Sequence, residues 1–201
     1  MTLFTDRIQE TTGPARQELD YAINAYVMAI AGKPGYLRLL RIFFAYYAPL
    51  YAQIDPYLGP AWVPDYPERR KPEALLRDLG TLGDPATHFQ FCHNLPVLSS
   101  RSQALGAFYA LESSVQQGEA LASQLIKITG VTKSSVGFFL AYGRQNKIMW
   151  DWFINFVNDA TGLVNHEAVI DMAAQTFSSF RNWLASSNKH PGLAADPVLN
   201  A

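Results

Sequence analysis

The stretch Tyr36–Ile54, "YLRLLRIFFAYYAPLYAQI", is apolar on nearly every side of a helical wheel. A helix of that kind has no face to offer water and must be surrounded by other helices. The rest of the chain supplies them. In a first helix Ala15, Leu19, Ala22, Ile23, Tyr26, Val27 and Ile30 recur at helical spacing on one face. Thr12 reads as its cap and Pro14 as a first-turn residue, where a missing N–H costs least. "GKP" at Gly32–Pro34 ends that helix and opens the central one. The Pro-rich stretch Asp55–Pro67 is a loop, and "KPEALLRDLGTLG" is a shorter helix closing near Gly80 and Gly83. Asp84, followed by Pro85, reads as a helix cap. The longest helical segment runs from about Ser100 to Thr129, followed by "SSVGFFLAYG" and a helix with Trp150, Trp152, Phe153, Phe156 and Val157. A last helix covers about His166 to Ala185. Strand alternation hardly occurs. The pattern predicts an all-α, single-domain multi-helix bundle over residues 1–185, with a non-periodic and therefore mobile tail over 186–201.

At 201 residues, 49% of them hydrophobic, the chain can bury a core of ordinary size. A formal net charge of -1 gives no electrostatic basis for binding nucleic acid or an acidic membrane surface. No run approaches the roughly 18 apolar residues of a membrane span. Cys92 is the single cysteine and cannot form an internal disulfide, and "MTLFTDRIQETT" lacks the basic end and apolar run of a signal peptide. These features together predict a cytoplasmic protein with neither nucleic-acid nor membrane partners.

Most chemical motifs are missing. The chain has no phosphate loop, no GxGxxG, no HExxH and no GxSxG. A carboxylate-bridged di-iron bundle needs Glu-x-x-His pairs, which aim both ligands inward, and no histidine here has Glu three residues before it. Cys92 with His88 or His93 as a base would need a pocket; a buried, inert thiol is the simpler reading. No protein-ligated metal is expected.

One stretch carries more information: "LPVLSSRSQALGAFYALESSVQQGEALASQLI", Leu95–Ile126. It resembles the distal helix of bacterial biliverdin-producing haem oxygenases, whose pattern is approximately LPxL followed by ALGxLYVLEGSxLGG. "YLRLLRIFFAYYAPL" is similar to that family's second helix, "PERRKPEALLRDLGTLG" to its RRKxxLLxxDLxxLG segment, and "FFLAYG" with the following tryptophan helix to its FFxxYG. The resemblance covers about Leu3 to Leu184. It implies a haem oxygenase-like all-α fold that clamps haem between a proximal N-terminal helix and a kinked distal helix. It also implies a reductase or ferredoxin that would supply electrons for opening the ring, with O2, to biliverdin, CO and iron.

Two departures bear on that activity. The family's proximal histidine lies in a pattern close to LRxATxxxHxxLE, and "IQETTGPARQELD", Ile8–Asp20, fits it without a gap, with Arg16 at the histidine position. A guanidinium has no lone pair for iron. Arg16 lies between Ile23 and Val27 on the wheel; it either faces the cavity and holds an anionic group, or snorkels outward and pairs with Asp20. On the distal side Ser113 and Gln117 stand where the family has glycines that let the backbone approach haem, and only Gly118 is kept. Glu112 retains the family's acidic residue, as a buried hydrogen-bonding group in preference to a catalytic acid. Ser113, Ser114, Gln116 and Gln117 line a wet pocket or a solvated kink. Tyr142 matches the family's tyrosine, and Arg144 and Lys147 are candidate contacts for ligand carboxylates or solvated surface groups. His88, His93, His166 and His190 all lie off the proximal helix.

The expectation is a haem oxygenase-like protein with a hydrophobic or tetrapyrrole pocket for an anionic small molecule, lacking ordinary His-ligated haem cleavage. An active haem oxygenase with a non-histidine or water ligand, and an interaction module with no small-molecule site, are the alternatives.

Overall fold

In a computed structural model, residues 2–189 are described. Eight α-helices account for most of them, joined by short 3-10 turns, and no strand occurs among the described residues. The helices are α1 (Phe4–Met28), α2 (Gly32–Ile54), α3 (Glu73–Thr81), α4 (Arg101–Ser113), α5 (Val115–Thr129), α6 (Gly137–Leu140), α7 (Asn146–Asp159) and α8 (His166–Lys189). The chain is all-α, as its periodicity predicts.

Helix α2 is the centre of the bundle. Tyr36, Leu39, Leu40, Tyr46, Leu50 and Ile54 are fully buried on its several faces. Helices α1 and α4 both lie along α8, whereas α1 and α5 barely touch. That sparse seam between α1 and α5 is where the site described below forms.

Helix α1 starts earlier than its local signals indicate. Thr12 and Pro14 lie inside it, not at its start. The extra turns are fixed by distant partners: Phe4 stacks on His166 with ring centroids 4.1 Å apart, the Thr5 N–H donates to Asn158 Oδ1, and Ile8 is fully buried. Thr12 does not cap; its hydroxyl donates to the Ile8 carbonyl at 2.8 Å. This tertiary anchoring outweighs the hydrogen bond that Pro14 cannot make.

The predicted Ser100–Thr129 helix is two helices that break at Ser114. No glycine makes the break. The Ser113 and Ser114 hydroxyls donate to the carbonyls of Ala110 and Leu111, 2.9 and 2.6 Å away, and the Ser114 and Gln117 N–H groups make i to i-3 bonds of 3.3 Å. Back-bonding hydroxyls bend helices by diverting carbonyls from the regular ladder. Ser100 caps α4 by accepting from the Gln103 N–H, and Gly130, with φ +70°, closes α5.

Two further corrections follow from packing. Asp84 caps no helix: it grips the Arg41 guanidinium from two sides and accepts from the Ala86 N–H. Helix α8 runs past Ala185 to Lys189, with Ser187 buried against α2, its carbonyl accepting from Arg38. The helical domain therefore extends beyond 185, and the remainder of the expected tail, 190–201, lies outside the described residues.

Candidate functional site

Arg16 projects from α1 into the seam opposite the α4–α5 break. Its Nη2 donates to the Ser113 carbonyl and to Gln116 Oε1, both at 3.2 Å, and its Nε lies 3.8 Å from Asp20 Oδ2. The side chain is 19% exposed. The side chain neither snorkels fully outward nor holds an anionic group across the seam: its contact with Asp20 is long, and its guanidinium reaches neutral oxygens of the distal helices. Gln117 completes the crossing by donating to Asp20 Oδ2 at 2.6 Å. Burial raises the Asp20 carboxyl above its ordinary value, an effect partly offset by Gln117 and Arg16.

These side chains separate two spaces. Inside lies a small cavity of about 30 Å³ walled by Phe43, Phe138, Phe139, Phe177 and Phe180, with Tyr47, Arg70, Ser113, Ser114 and Gln117 among its polar groups. Outside is an open groove of about 570 Å³ bordered by Gln9, Gly13, Gln17, Tyr109 and Gln116. Arg16 and Asp20 line both. The polar bridge is thus a partition between an aromatic interior and a solvent-facing groove.

The other expected site residues divide. Gln116 is exposed on the groove side, while Ser113 is buried and Ser114 and Gln117 are partly buried on the cavity side. Gly118 is absent from the lining but is needed behind it, because a Cβ there would stand 2.0 Å from the Phe139 carbonyl oxygen. Glu112 turns away from the cavity: its Oε2 accepts from Arg69 Nη1 at 3.1 Å and from the Tyr142 hydroxyl at 2.8 Å. Tyr142 also accepts from the Arg70 N–H at 2.8 Å and lines a groove on another face. Burial, and then Glu112, push the Tyr142 hydroxyl above its ordinary value. Arg144 and Lys147 are exposed and border neither space; Lys147 pairs with Asp151. As contacts for a ligand carboxylate in this cavity, Tyr142, Arg144 and Lys147 are misplaced.

Sequence reasoning missed Arg70 and Tyr47. The run "ERRK" stands out in the sequence only as part of a family-like segment, and Arg69 and Arg70 prove to be 3% and 7% exposed. Arg69 is held by Asp65 and Glu112, and Arg70 by carbonyl and hydroxyl oxygens of α4 to α6.

Haem does not fit these residues. About 30 Å³ admits one or two water-sized guests, whereas small-molecule pockets span roughly 300–1,000 Å³. No imidazole, thiol or thioether is among the described lining residues. His166 stacks on Phe4, His88 contacts Thr87, and His93 is exposed. His190 lies outside the described residues. No helix among the described residues is long and apolar enough to cross a membrane. No protein-family model matches the chain, and no curated protein matches it. The haem oxygenase resemblance rests on the quoted sequence segments.

Proposed function

We propose that this protein binds a hydrophobic carboxylate at the α1/α5 seam and does not cleave haem at a histidine-ligated iron. The observation that carries the reading is the state of Arg16. A largely desolvated cation has two long hydrogen bonds to neutral oxygens and one carboxylate 3.8 Å away that is already bonded to Gln117. Charge-assisted bonds to a ligand carboxylate are shorter and stronger than these and would displace them. The wall beyond Arg16 is aromatic and matches the apolar body of such a ligand in chemistry, though not in its present volume of about 30 Å³, and the outer groove supplies the approach. Admission requires Gln117 and Gln116 to release α1, after which the interior can widen. A cytoplasmic setting agrees with the near-neutral charge and the single, buried thiol. A linear or cyclic tetrapyrrole belongs to this ligand class only if the seam opens much further.

The test is calorimetric titration of the purified protein with decanoate, decanol, biliverdin and haemin. Decanoate binding at least about tenfold tighter than decanol, with the difference abolished in Arg16→Met, is the expected result. Equal affinity for acid and alcohol, or no binding of any probe, overturns the reading. Stoichiometric biliverdin and CO formed from haemin with a reductase, NADPH and O2 in the presence of catalase would establish the enzyme instead.

A further inference from the structure

Arg70 is a buried guanidinium that no carboxylate touches among the described residues. Its two buried counterparts are paired, Arg41 with Asp84 and Arg69 with Asp65 and Glu112. Arg70 relies instead on the Leu111 carbonyl at 2.9 Å, Ser114 Oγ at 2.7 Å, and the face of Phe138, 4.3 Å from the ring centroid. Its Nη1 reaches the Phe138 carbonyl only at 3.5 Å, and its buried Nε has no acceptor. Glu112 acts on it through space but does not touch it, and neutral oxygens repay only part of a buried cation's lost hydration.

The cavity that Arg70 lines has the same imbalance. Tyr47, fully packed, has its hydroxyl 3.5 Å from Ser114 Oγ, a distance too long for a good bond. The hydroxyl hydrogens of Ser113, Ser114 and Thr176 are already given to the carbonyls of Ala110, Leu111 and Met172. The charged side chains of the wall are Arg16, Asp20 and Arg70, one more cation than anion. Space is about 30 Å³, enough for one or two water-sized guests and too little for sulfate or phosphate.

We propose that this cavity is a site for a small monovalent anion of halide size, held by Arg70 with the Tyr47 hydroxyl as second donor. The anion supplies the contacting negative charge that Arg70 lacks and ties the 69–71 segment to the α4–α5 break. Because the remaining wall is aromatic and strips the guest of water, easily dehydrated anions are favoured: bromide and chloride over fluoride. The anion takes the same interior that the apolar body of a carboxylate held at Arg16 would enter, but it rests on Arg70 and Tyr47 and not on Arg16, so the failure of decanoate to bind leaves it standing.

The experiment compares thermal unfolding in bromide, chloride, fluoride and gluconate at one fixed ionic strength, together with the NMR line width of chloride on adding protein. Bromide and chloride should raise the melting temperature saturably above gluconate and fluoride, and bromide should reverse the chloride broadening. In Tyr47→Phe the half-saturating concentration should rise about threefold, and in Arg70→Met at least about tenfold, as expected for losing a neutral and a charged donor. If Arg70→Met does not fold, Tyr47→Phe and the competition on the wild-type protein still decide. Identical melting in all four salts with no chloride broadening shows that the cavity holds only water. An equal halide effect in wild type and Tyr47→Phe moves the ion elsewhere; either outcome overturns the proposal.

Discussion

Gln117 donates to Asp20 Oδ2 at 2.6 Å, while the Arg16 Nε stands 3.8 Å from that same oxygen. The amide has taken the carboxylate that the helical i, i+4 spacing offers to the arginine. Arg16 is left to span the seam to Ser113 and Gln116. Helices α1 and α5 are thus laced by two crossed polar links where their apolar packing is thinnest.

That division of labour makes the two links unequal. Gln117→Ala should destabilise the protein by about 1–2 kcal/mol, because a short hydrogen bond to a charged acceptor is lost. Arg16→Met should cost less than about 1 kcal/mol, since its bonds are long and its stem still packs. Urea unfolding of both variants checks this. A larger loss in Arg16→Met would make the guanidinium the principal latch and weaken the case that it is available to a ligand.

Two glycines in helices should respond oppositely to a methyl group. At Gly118 a Cβ would lie 2.0 Å from the Phe139 carbonyl oxygen, so α5 and α6 must separate; Gly118→Ala should cost about 2–4 kcal/mol. At Gly13, inside α1, a Cβ meets nothing within 4 Å. Gly13→Ala should stabilise by about 0.5–1 kcal/mol through helix propensity and reduced unfolded-state entropy. Thermal melts of the pair give the signs directly.

What the sequence disclosed and what it concealed have physical reasons. The apolar stripe of α1 and the all-round apolarity of α2 are properties of local spacing, and both predict the burial observed. Arg16 within that stripe was legible for the same reason. The start of α1 was not, because Phe4 and Thr5 are held by α8 and α7, more than a hundred residues away. The break at Ser114 lacked the expected glycines and depends on hydroxyls choosing nearby carbonyls. Arg70 was hidden because a charge run carries no periodic mark of burial; oxygens of α4 to α6 draw it in.

Cys92 should behave as an inert core residue. It is 6% exposed, its N–H donates to the Ala45 carbonyl at 3.0 Å, and burial pushes its thiol above the ordinary range, partly offset by the Asn94 N–H. Little thiolate is then present at pH 8 in the native state, and the thiolate is the reactive form. Labelling by a disulfide reagent should proceed at the rate of unfolding and accelerate with urea. Fast, urea-independent labelling would show that the 86–98 segment peels away from α2 on its own.

The Arg41–Asp84 pair should govern the acid end of the stability profile. Both side chains are more than nine-tenths buried; Arg41 Nε donates to Asp84 Oδ2 at 2.8 Å, and Asp84 also accepts from the Ala86 N–H at 2.8 Å. Burial alone would raise the Asp84 carboxyl, but the Arg41 bonds and the Ala86 N–H outweigh it and hold the group below its ordinary 3.8. A carboxyl whose folded-state value is depressed contributes stability that is fully present above the unfolded value. That contribution is lost as pH falls through the lower, folded value. Wild-type stability should therefore drop below about pH 4, whereas Asp84→Asn should be flatter across that window. At pH 7 the variant should be less stable by about 3 kcal/mol, the cost of removing the carboxylate that a buried cation contacts. Urea midpoints measured from pH 2 to pH 7 test both statements. Parallel curves for the two proteins would mean that the carboxylate adds nothing specific at acid pH.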